Sequence, residues 1–116
     1  MSLYLYFIFA IIQLHRFDAV QAALRGMRVE GMTVADVRGY GRQKGHEEAY
    51  RGAEYTISFV PKLKIEVAVM DGWANPFVAA IRNGARTGEN GDRKIFFVEL
   101  KSVMRVRTGG TDADAI

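Results

Sequence analysis

The order of apolar patterns along the chain constrains its fold more than any other feature. Residues 3–12, LYLYFIFAII, are apolar throughout and rich in aromatic and β-branched side chains, which is typical of a buried strand. Residues 32–41, 55–70 and 94–108 carry further strand patterns, and the pattern leaves open a division of the last strand into two pieces around Lys101–Ser102. The third of the four strands alternates regularly between apolar and charged side chains. Segments whose apolar residues recur at helical spacing separate the first strand from the second, and the third strand from the fourth.

Both helices have recognisable ends. Asp18 can cap the first helix, and Gly31 follows as a stop. Asn75 and Pro76 suit the start of the second helix, because proline is tolerated at the first helical position. Pro61, inside the third strand, argues for an edge, a bulge or a break.

The resulting order predicts an α+β, ferredoxin-like βαββαβ sandwich with a long loop between strands 2 and 3. The helices would cover one face of the sheet. The other face also carries apolar side chains and needs cover, for which self-association is the simplest solution.

The connection between the second and third strands is unusually long for a hairpin. Residues 41–55, GRQKGHEEAYRGAEY, contain three glycines and no Val, Ile, Leu, Met or Phe. An ordinary hairpin needs two to five loop residues, so a connection of this length indicates a functional or disordered loop.

Composition sets the class of protein. A chain of 116 residues is a single domain, 1–116, and the net charge of +3 favours anionic partners without choosing among them. The absence of cysteine excludes a disulfide framework and fits a reducing compartment, so we expect a cytoplasmic protein. The apolar start is too short to span a bilayer and lacks the flanks of a signal peptide.

Several motifs together resemble one family. GYGRQKGHEEAYRGAEY followed by PKLKIEV, then TGENGDRKIF, RVRTG and a final DAI, closely resemble the nitrogen regulatory P-II signal-transduction proteins over nearly the whole chain. The resemblance implies a homotrimer whose intersubunit clefts bind ATP or ADP, and 2-oxoglutarate together with ATP and Mg²⁺. It also implies a non-enzymatic role, in which the exposed loop of about 41–58 regulates ammonium transporters or enzymes of nitrogen metabolism.

The same resemblance places the ligand site. The nucleotide would contact the phosphate-binding turn 87–94, the base of the loop, and the C-terminal strand and tail 105–116, through Thr33, Gly41, Arg42, Gln43, Gly91, Asp92, Arg93, Lys94, Arg105 and Arg107. Arg105 and Arg107 would reach the phosphates from the neighbouring subunit. Gln43 would ligate Mg²⁺, Lys62 would pair with the distal carboxylate of 2-oxoglutarate, and Gly45 would donate a backbone N–H. Tyr55 matches a tyrosine that is uridylylated in some members.

Physical reasoning alone leaves alternatives open for these residues. TGENGDRK could be a plain glycine-rich turn, Lys62 an exposed strand lysine, and Arg105 and Arg107 a solvated face of a strand at period two. No carboxylate pair, catalytic triad or metal cluster stands out in the sequence.

The chain departs from the family pattern at identifiable positions. Arg93 occupies the second glycine slot of the usual Gly-Asp-Gly-Lys turn, where a positive φ would be costly for arginine. Gln13 replaces a conventional lysine, and VMDGW and the apolar start are also unusual. One alternative is therefore an interaction module with a degenerate nucleotide site. A ferredoxin-like nucleic-acid-binding domain is less favoured, because KIFFVEL lacks the glycine framing of an RNA-recognition strand.

Overall fold

The computed structural model describes residues 4–27, 31–40, 59–89 and 91–116. Its helices and strands follow the predicted βαββαβ order: β1 Leu5–Gln13, α1 Phe17–Leu24, β2 Thr33–Tyr40, β3 Phe59–Met70, α2 Asp71–Ala85 and β4 Ile95–Leu100. Short 3₁₀ turns occupy Leu14–Arg16 and Asp112–Asp114.

The four strands form one antiparallel sheet in the order β2-β3-β1-β4. Ala10 in the middle of β1 lies opposite Ile65 of β3 on one side and Ile95 of β4 on the other. The α+β ferredoxin-like prediction is confirmed.

One face of the sheet holds the core. The helix α2 packs on β1 and β3, and α1 packs on α2. Alternate side chains of β1 and β3 are buried beneath the helices, together with one stripe of each helix: Ile8, Ala10, Ile12, Ile65, Val67, Val69, Val20, Leu24, Phe77 and Ile81. Each large side chain of this kind contributes about 1.5–3 kcal/mol when it is fully buried, so these residues determine which face the helices cover.

The opposite face carries apolar groups without a covering layer from the described residues. Phe9 of β1 stacks on Phe96 of β4 with ring centroids 4.5 Å apart, and the ammonium of Lys64 lies 5.0 Å from the Phe9 ring centroid. Phe96 and Val98 nevertheless stay 40% and 45% exposed. The prediction that both faces of the sheet are apolar is confirmed.

Both helices begin at residues other than those predicted, and α1 also ends at another residue. Asp18 does not cap α1, which begins at Phe17 after Arg16 and has no side-chain cap. The helix ends at Leu24 rather than near Gly31, because Arg25 is extended and Gly26 is left-handed with φ +90°. Helix α2 begins at Asp71, directly after β3.

Pro76 therefore lies inside α2, as its sixth residue, and the prediction that it starts the helix is wrong. Pro76 is exposed and forgoes one backbone hydrogen bond, whereas the buried stripe of Ala74, Phe77, Ile81 and Gly84 holds the helix on the sheet.

Pro61 does not break its strand. It lies within β3, opposite Arg38 of β2, and pairing of β3 with β1 begins only at Lys62 opposite Gln13. On the β1 side, Pro61 is therefore at a local sheet edge, where its missing N–H breaks no β1–β3 hydrogen bond.

The fourth strand stops at the division around Lys101–Ser102 that the sequence left open. It ends at Leu100, and the tail returns on itself through a single bridge between Met104 and Thr111. Hydrogen bonds from Arg105 N to Gly110 O and from Gly109 N to Arg105 O close this turn at 2.8 Å each. Arg105 and Arg107 therefore do not share one side of a strand, and that interpretation was wrong because glycines 109 and 110 favour a turn.

Candidate functional site

The turn between α2 and β4 is built around one carboxylate. Asp92 accepts hydrogen bonds from the hydroxyl of Thr87 at 2.6 Å, from the backbone N–H of Thr87 at 2.9 Å and from the N–H of Gly88 at 2.9 Å. The Thr87 hydroxyl is the main cause that lowers the pKa of Asp92 well below its usual range, and the two backbone donors add to it. The turn is thus closed by its own side chains.

Two residues of the sheet hold this turn by side-chain hydrogen bonds. Gln13 of β1 and Lys62 of β3 lie directly opposite each other. The Gln13 amide donates to Asp92 Oδ1 at 2.8 Å and to Thr87 Oγ1 at 3.3 Å, and the Lys62 ammonium donates to the Gly91 carbonyl at 2.8 Å. These bonds connect one end of the two central strands, β1 and β3, to residues that are far away in sequence.

Lys62 is buried, with only 5% of its surface exposed, so the alternative of an exposed strand lysine is wrong. Burial lowers the pKa of Lys62, the nearby Arg93 lowers it further, and Asp92 acts in the opposite direction. An ammonium has three N–H donors, and the bond to Gly91 uses one of them. Lys62 therefore presents a desolvated cation with remaining donors beside the turn.

The glycine slot that Arg93 occupies carries no backbone strain. Among the described residues other than glycine, only Asp112 has a positive φ, so the left-handed conformation that would penalise arginine does not occur at Arg93. Space is tight at Gly91 instead, because an added Cβ would lie 3.2 Å from the end of the Gln13 side chain, which would have to move by a few tenths of an ångström. Arg93 and Lys94 are both exposed.

Other predicted residues lie toward the far end of the sheet. Arg105 and Arg107 line a cavity together with Gly31 and Ala68. Ala68 is six residues beyond Lys62 along β3, a separation of about 20 Å at the usual rise of a strand. Thr33 lies opposite Glu66, about 13 Å from Lys62 along the strand direction.

Within one chain, the structure thus brings Lys62, Gly91 and Asp92 together, with Arg93 and Lys94 next in the turn. It leaves Thr33, Arg105 and Arg107 as a second group toward the other end of β3. The predicted residues Gly41, Arg42, Gln43, Gly45 and Tyr55 lie outside the described residues.

Sequence reasoning missed the part played by two residues in this site. Gln13 entered only as a departure from the family pattern, and Thr87 only as the first letter of a glycine-rich stretch. Thr87 precedes Asp92 by five residues, with two glycines between them, which is a weak signal of a turn closed by side chains. Nothing in the sequence connects Thr87 or Asp92 to Gln13.

The described residues offer neither a metal cluster nor a membrane-spanning helix. No three His, Asp or Glu side chains in this part of the chain could hold a metal ion together. No described helix combines the length and the apolar character needed to cross a membrane.

Comparisons with known proteins agree with this architecture. Residues 5–110 match the family described as Nitrogen regulatory protein P-II. The Nitrogen regulatory protein P-II of Rhizobium etli is 49% identical over 109 residues, which cover 94% of this chain and 97% of that protein. The Nitrogen regulatory protein GlnK of Escherichia coli K12 is 45% identical over 106 residues, which cover 91% and 95% of the two chains.

A solved structure extends the comparison to three dimensions. The crystal structure of Arabidopsis thaliana PII bound to citrate superposes with a TM-score of 0.75 at 35% identity, covering 97% of this chain and 92% of that one. The family match over residues 5–110 and the relatives at 45–49% identity establish that the chain belongs to the nitrogen regulatory protein P-II family.

Proposed function

We propose that this chain is a non-enzymatic sensor of nitrogen, carbon and energy status. It binds ATP or ADP in clefts between subunits, takes up 2-oxoglutarate when ATP and Mg²⁺ are present, and regulates a target protein through the loop of about 41–58. The observation that carries the proposal is the buried ammonium of Lys62, which keeps donors available beside the 87–94 turn.

Exposed cations among the described residues suit the phosphates of a nucleoside triphosphate. Lys94, Arg105 and Arg107 are exposed. In the described part of the chain, none of them has a carboxylate within salt-bridge distance, whereas Lys64 and Glu66 do form an ion pair. Arginine and lysine are the usual partners of phosphate oxygens. By resemblance, Gly41 and Arg42 complete the phosphate contacts and Gln43 supplies an amide oxygen to Mg²⁺, a cation that prefers oxygen ligands.

The Lys62 site fits the distal carboxylate of 2-oxoglutarate. A desolvated ammonium forms a strong charge-assisted hydrogen bond with a carboxylate, and the approach of that anion offsets the cost of burying the cation. By resemblance, the backbone N–H of Gly45 adds to this contact. The citrate-bound relative from Arabidopsis thaliana shows that a PII protein accepts a small carboxylate.

A homotrimer would complete the site. Ala68, which lines the cavity of Arg105 and Arg107, is about 20 Å from Lys62 along β3, too far for one bound phosphate group to contact both ends. A neighbouring copy could bring its own Thr33, Arg105 and Arg107 to this turn. The apolar face around Phe9 and Phe96, which no described helix or strand covers, favours association of subunits because contact between copies would bury apolar surface.

The ligands would act by changing the preferred shape of the loop. A ligand shifts a conformational equilibrium only by its differential affinity for the two states. ATP with Mg²⁺ and 2-oxoglutarate would favour one loop shape and ADP another, so that an ammonium transporter or an enzyme of nitrogen metabolism is bound or released. Modification of Tyr55 and a cytoplasmic location remain predictions.

The open face of the sheet is a poor platform for nucleic acid. RNA-binding sheets stack bases on accessible aromatic rings. The Phe9 ring already contacts Phe96 on one side, and Lys64 lies over it. The alternative of an interaction module with a degenerate nucleotide site rests on backbone strain at Arg93. Because the backbone of Arg93 is unstrained, that alternative loses its support.

Calorimetric titration tests the sensor proposal. ATP and ADP are each titrated with and without Mg²⁺, and 2-oxoglutarate is then added to each state. The sensor requires binding of 2-oxoglutarate only in the presence of ATP and Mg²⁺. Absence of any nucleotide binding would favour the interaction module, whereas RNA binding with a steep salt dependence would favour the nucleic-acid alternative.

A further inference from the structure

Two stretches that depart from the family pattern, the apolar start and VMDGW, meet at one corner of the molecule. The backbone N–H of Asp71, the first residue of α2, donates to the carbonyl oxygen of Tyr4 at 2.9 Å. Leu5, at the start of β1, lies opposite Met70, the last residue of β3. The beginning of β1 and the first turn of α2 therefore form one surface.

Aromatic rings lie beside carboxylates on this surface. Tyr6 of β1 is directly opposite Glu99 of β4, and its ring packs on the Phe97 ring with centroids 4.7 Å apart. Alternation along β4 places Phe97 and Glu99 on the same face of the sheet. Burial raises the pKa of the Tyr6 phenol, and the charges of Asp71 and Glu99 raise it further, so both carboxylates lie near the Tyr6 hydroxyl.

This corner is open to solvent because α2 packs mainly on β1 and β3 rather than on β4. Tyr4 and Phe97 are 48% and 44% exposed, and Asp71 and Glu99 are exposed as well. In the described part of the chain, no lysine, arginine or histidine nitrogen lies within salt-bridge distance of either carboxylate. Together with Tyr6, these residues form an aromatic and acidic patch on a chain whose net charge is +3.

We propose that this patch is a docking site for a basic segment of a partner protein, with an arginine side chain lying against Tyr6 and Phe97 and pairing with Asp71 or Glu99. A guanidinium group stacks on aromatic faces and forms paired hydrogen bonds with carboxylates, so rings beside carboxylates favour it over an apolar or an acidic group. A free small cation would stay largely hydrated on so open a surface, whereas a protein segment adds contacts on either side of the arginine.

The patch does not depend on the proposed nucleotide cleft. Tyr6 is seven residues before Gln13, hence about 23 Å along β1 from the end of the sheet that holds Lys62 and the 87–94 turn. The simplest structural explanation of Asp71 is different: an acidic residue in the first turn of a helix stabilises it through the helix dipole. That explanation predicts a loss of stability on neutralisation and no effect on the binding of a basic peptide.

Titration with an acetylated, amidated tri-arginine peptide at constant ionic strength, followed by NMR on the full chain, separates these outcomes. We expect saturable shifts of the Tyr6, Phe97 and Glu99 amides, and at least about fivefold weaker binding by D71N/E99Q. Calorimetry should show that the ATP affinity of D71N/E99Q changes less than about twofold, so failure of this proposal and failure of nucleotide binding are distinguishable.

The matched control is D18N/D36N, which removes the same number of negative charges from exposed positions on α1 and β2. It should bind the peptide within about twofold of the unmodified chain, because exposed charges far from the patch are screened by salt. F97L keeps an apolar side chain but removes the ring, and should bind about threefold more weakly.

Three results would overturn the proposal. One is the absence of saturable binding by the unmodified chain. Another is peptide binding by D71N/E99Q, correctly folded by circular dichroism, that is as tight as that of the unmodified chain. The third is an equal loss in D18N/D36N, because the attraction would then be nonspecific. If D71N/E99Q does not fold, E99Q alone leaves the first turn of α2 intact and decides the question by the same comparison.

Discussion

The ammonium of Lys62 donates a hydrogen bond to the carbonyl oxygen of Gly91, with Nζ and O 2.8 Å apart. We propose that Lys62 binds 2-oxoglutarate and that the turn containing Gly91 binds the nucleotide phosphates. The two ligand sites would therefore share one hydrogen bond in this structure. A carboxylate arriving at Lys62 must use the remaining donors of the ammonium or compete with Gly91.

Replacement of Lys62 by methionine tests this relationship. We expect K62M to weaken 2-oxoglutarate binding by about 10- to 100-fold, since a charge-assisted hydrogen bond to the distal carboxylate is lost. The free energy of unfolding should change by less than about 1 kcal/mol, because removal of a buried cation offsets the loss of the bond to Gly91. Calorimetry and urea denaturation measure the two quantities.

The matched control is K101M, which changes an exposed lysine just after β4. It should bind 2-oxoglutarate normally. Unaltered 2-oxoglutarate binding by folded K62M would show that Lys62 does not recognise the effector.

The fold was largely predictable because its information is local. The alternation of Ile65, Val67 and Val69 and the helical stripe of Phe77 and Ile81 each specify an element and the face that it buries. The end of α1 was missed because it depends on the left-handed backbone of Gly26. The turn after β4 was missed because it depends on hydrogen bonds at glycines 109 and 110.

The site was less predictable because it is assembled from distant parts of the chain. Lys62 looked like one exposed lysine of an alternating strand, and nothing near it in sequence indicates that it reaches Gly91. Gln13 bonds to Asp92 across 79 positions of sequence. Such contacts depend on the register between paired strands. The pattern of a single strand shows which of its side chains share a face, but not which residue of another strand lies opposite them.

The hydrogen bonds to Asp92 should make the stability of the turn depend on pH. The pKa of Asp92 is lowered in the folded state, so its contribution is present above the ordinary carboxyl range, about pH 4, and is lost as the pH falls below it. Replacement by asparagine should cost about 2 kcal/mol at neutral pH, because an amide accepts these bonds less strongly than a carboxylate. Thermal unfolding at several pH values measures this.

The curves of D92N and of the unmodified chain should converge as the pH falls, since protonation removes the same charge. The exposed Asp36 on β2 provides a control, because D36N should have nearly normal stability at neutral pH. A D92N variant as stable as the unmodified chain at neutral pH would mean that the turn does not depend on its carboxylate.

Two glycines of α2 should respond oppositely to alanine. At Gly84, an added Cβ would lie 2.7 Å from Val20 Cα and 2.9 Å from the Ala19 carbonyl oxygen, so α1 and α2 would have to separate. We expect G84A to lower the free energy of unfolding by about 1–3 kcal/mol. At Gly72 nothing lies within 4 Å, so G72A should raise it by up to about 1 kcal/mol through helix propensity. Urea denaturation of the pair measures both effects, and equal stability of the two variants would contradict the close helix contact.

Mixed trimers should reveal that each cleft uses two subunits. K62M removes the effector contact on one side of the cleft, and R105Q/R107Q removes the phosphate contact proposed to come from the neighbouring subunit. Each variant alone should bind 2-oxoglutarate much more weakly than the unmodified chain in the presence of ATP and Mg²⁺. When the two are refolded together, a cyclic trimer containing both types has one cleft in which an intact Lys62 faces intact arginines, so part of the binding should return. Calorimetry of the purified mixed species measures the recovery. If all of these residues served a cleft within one subunit, no mixture of the two variants would restore 2-oxoglutarate binding.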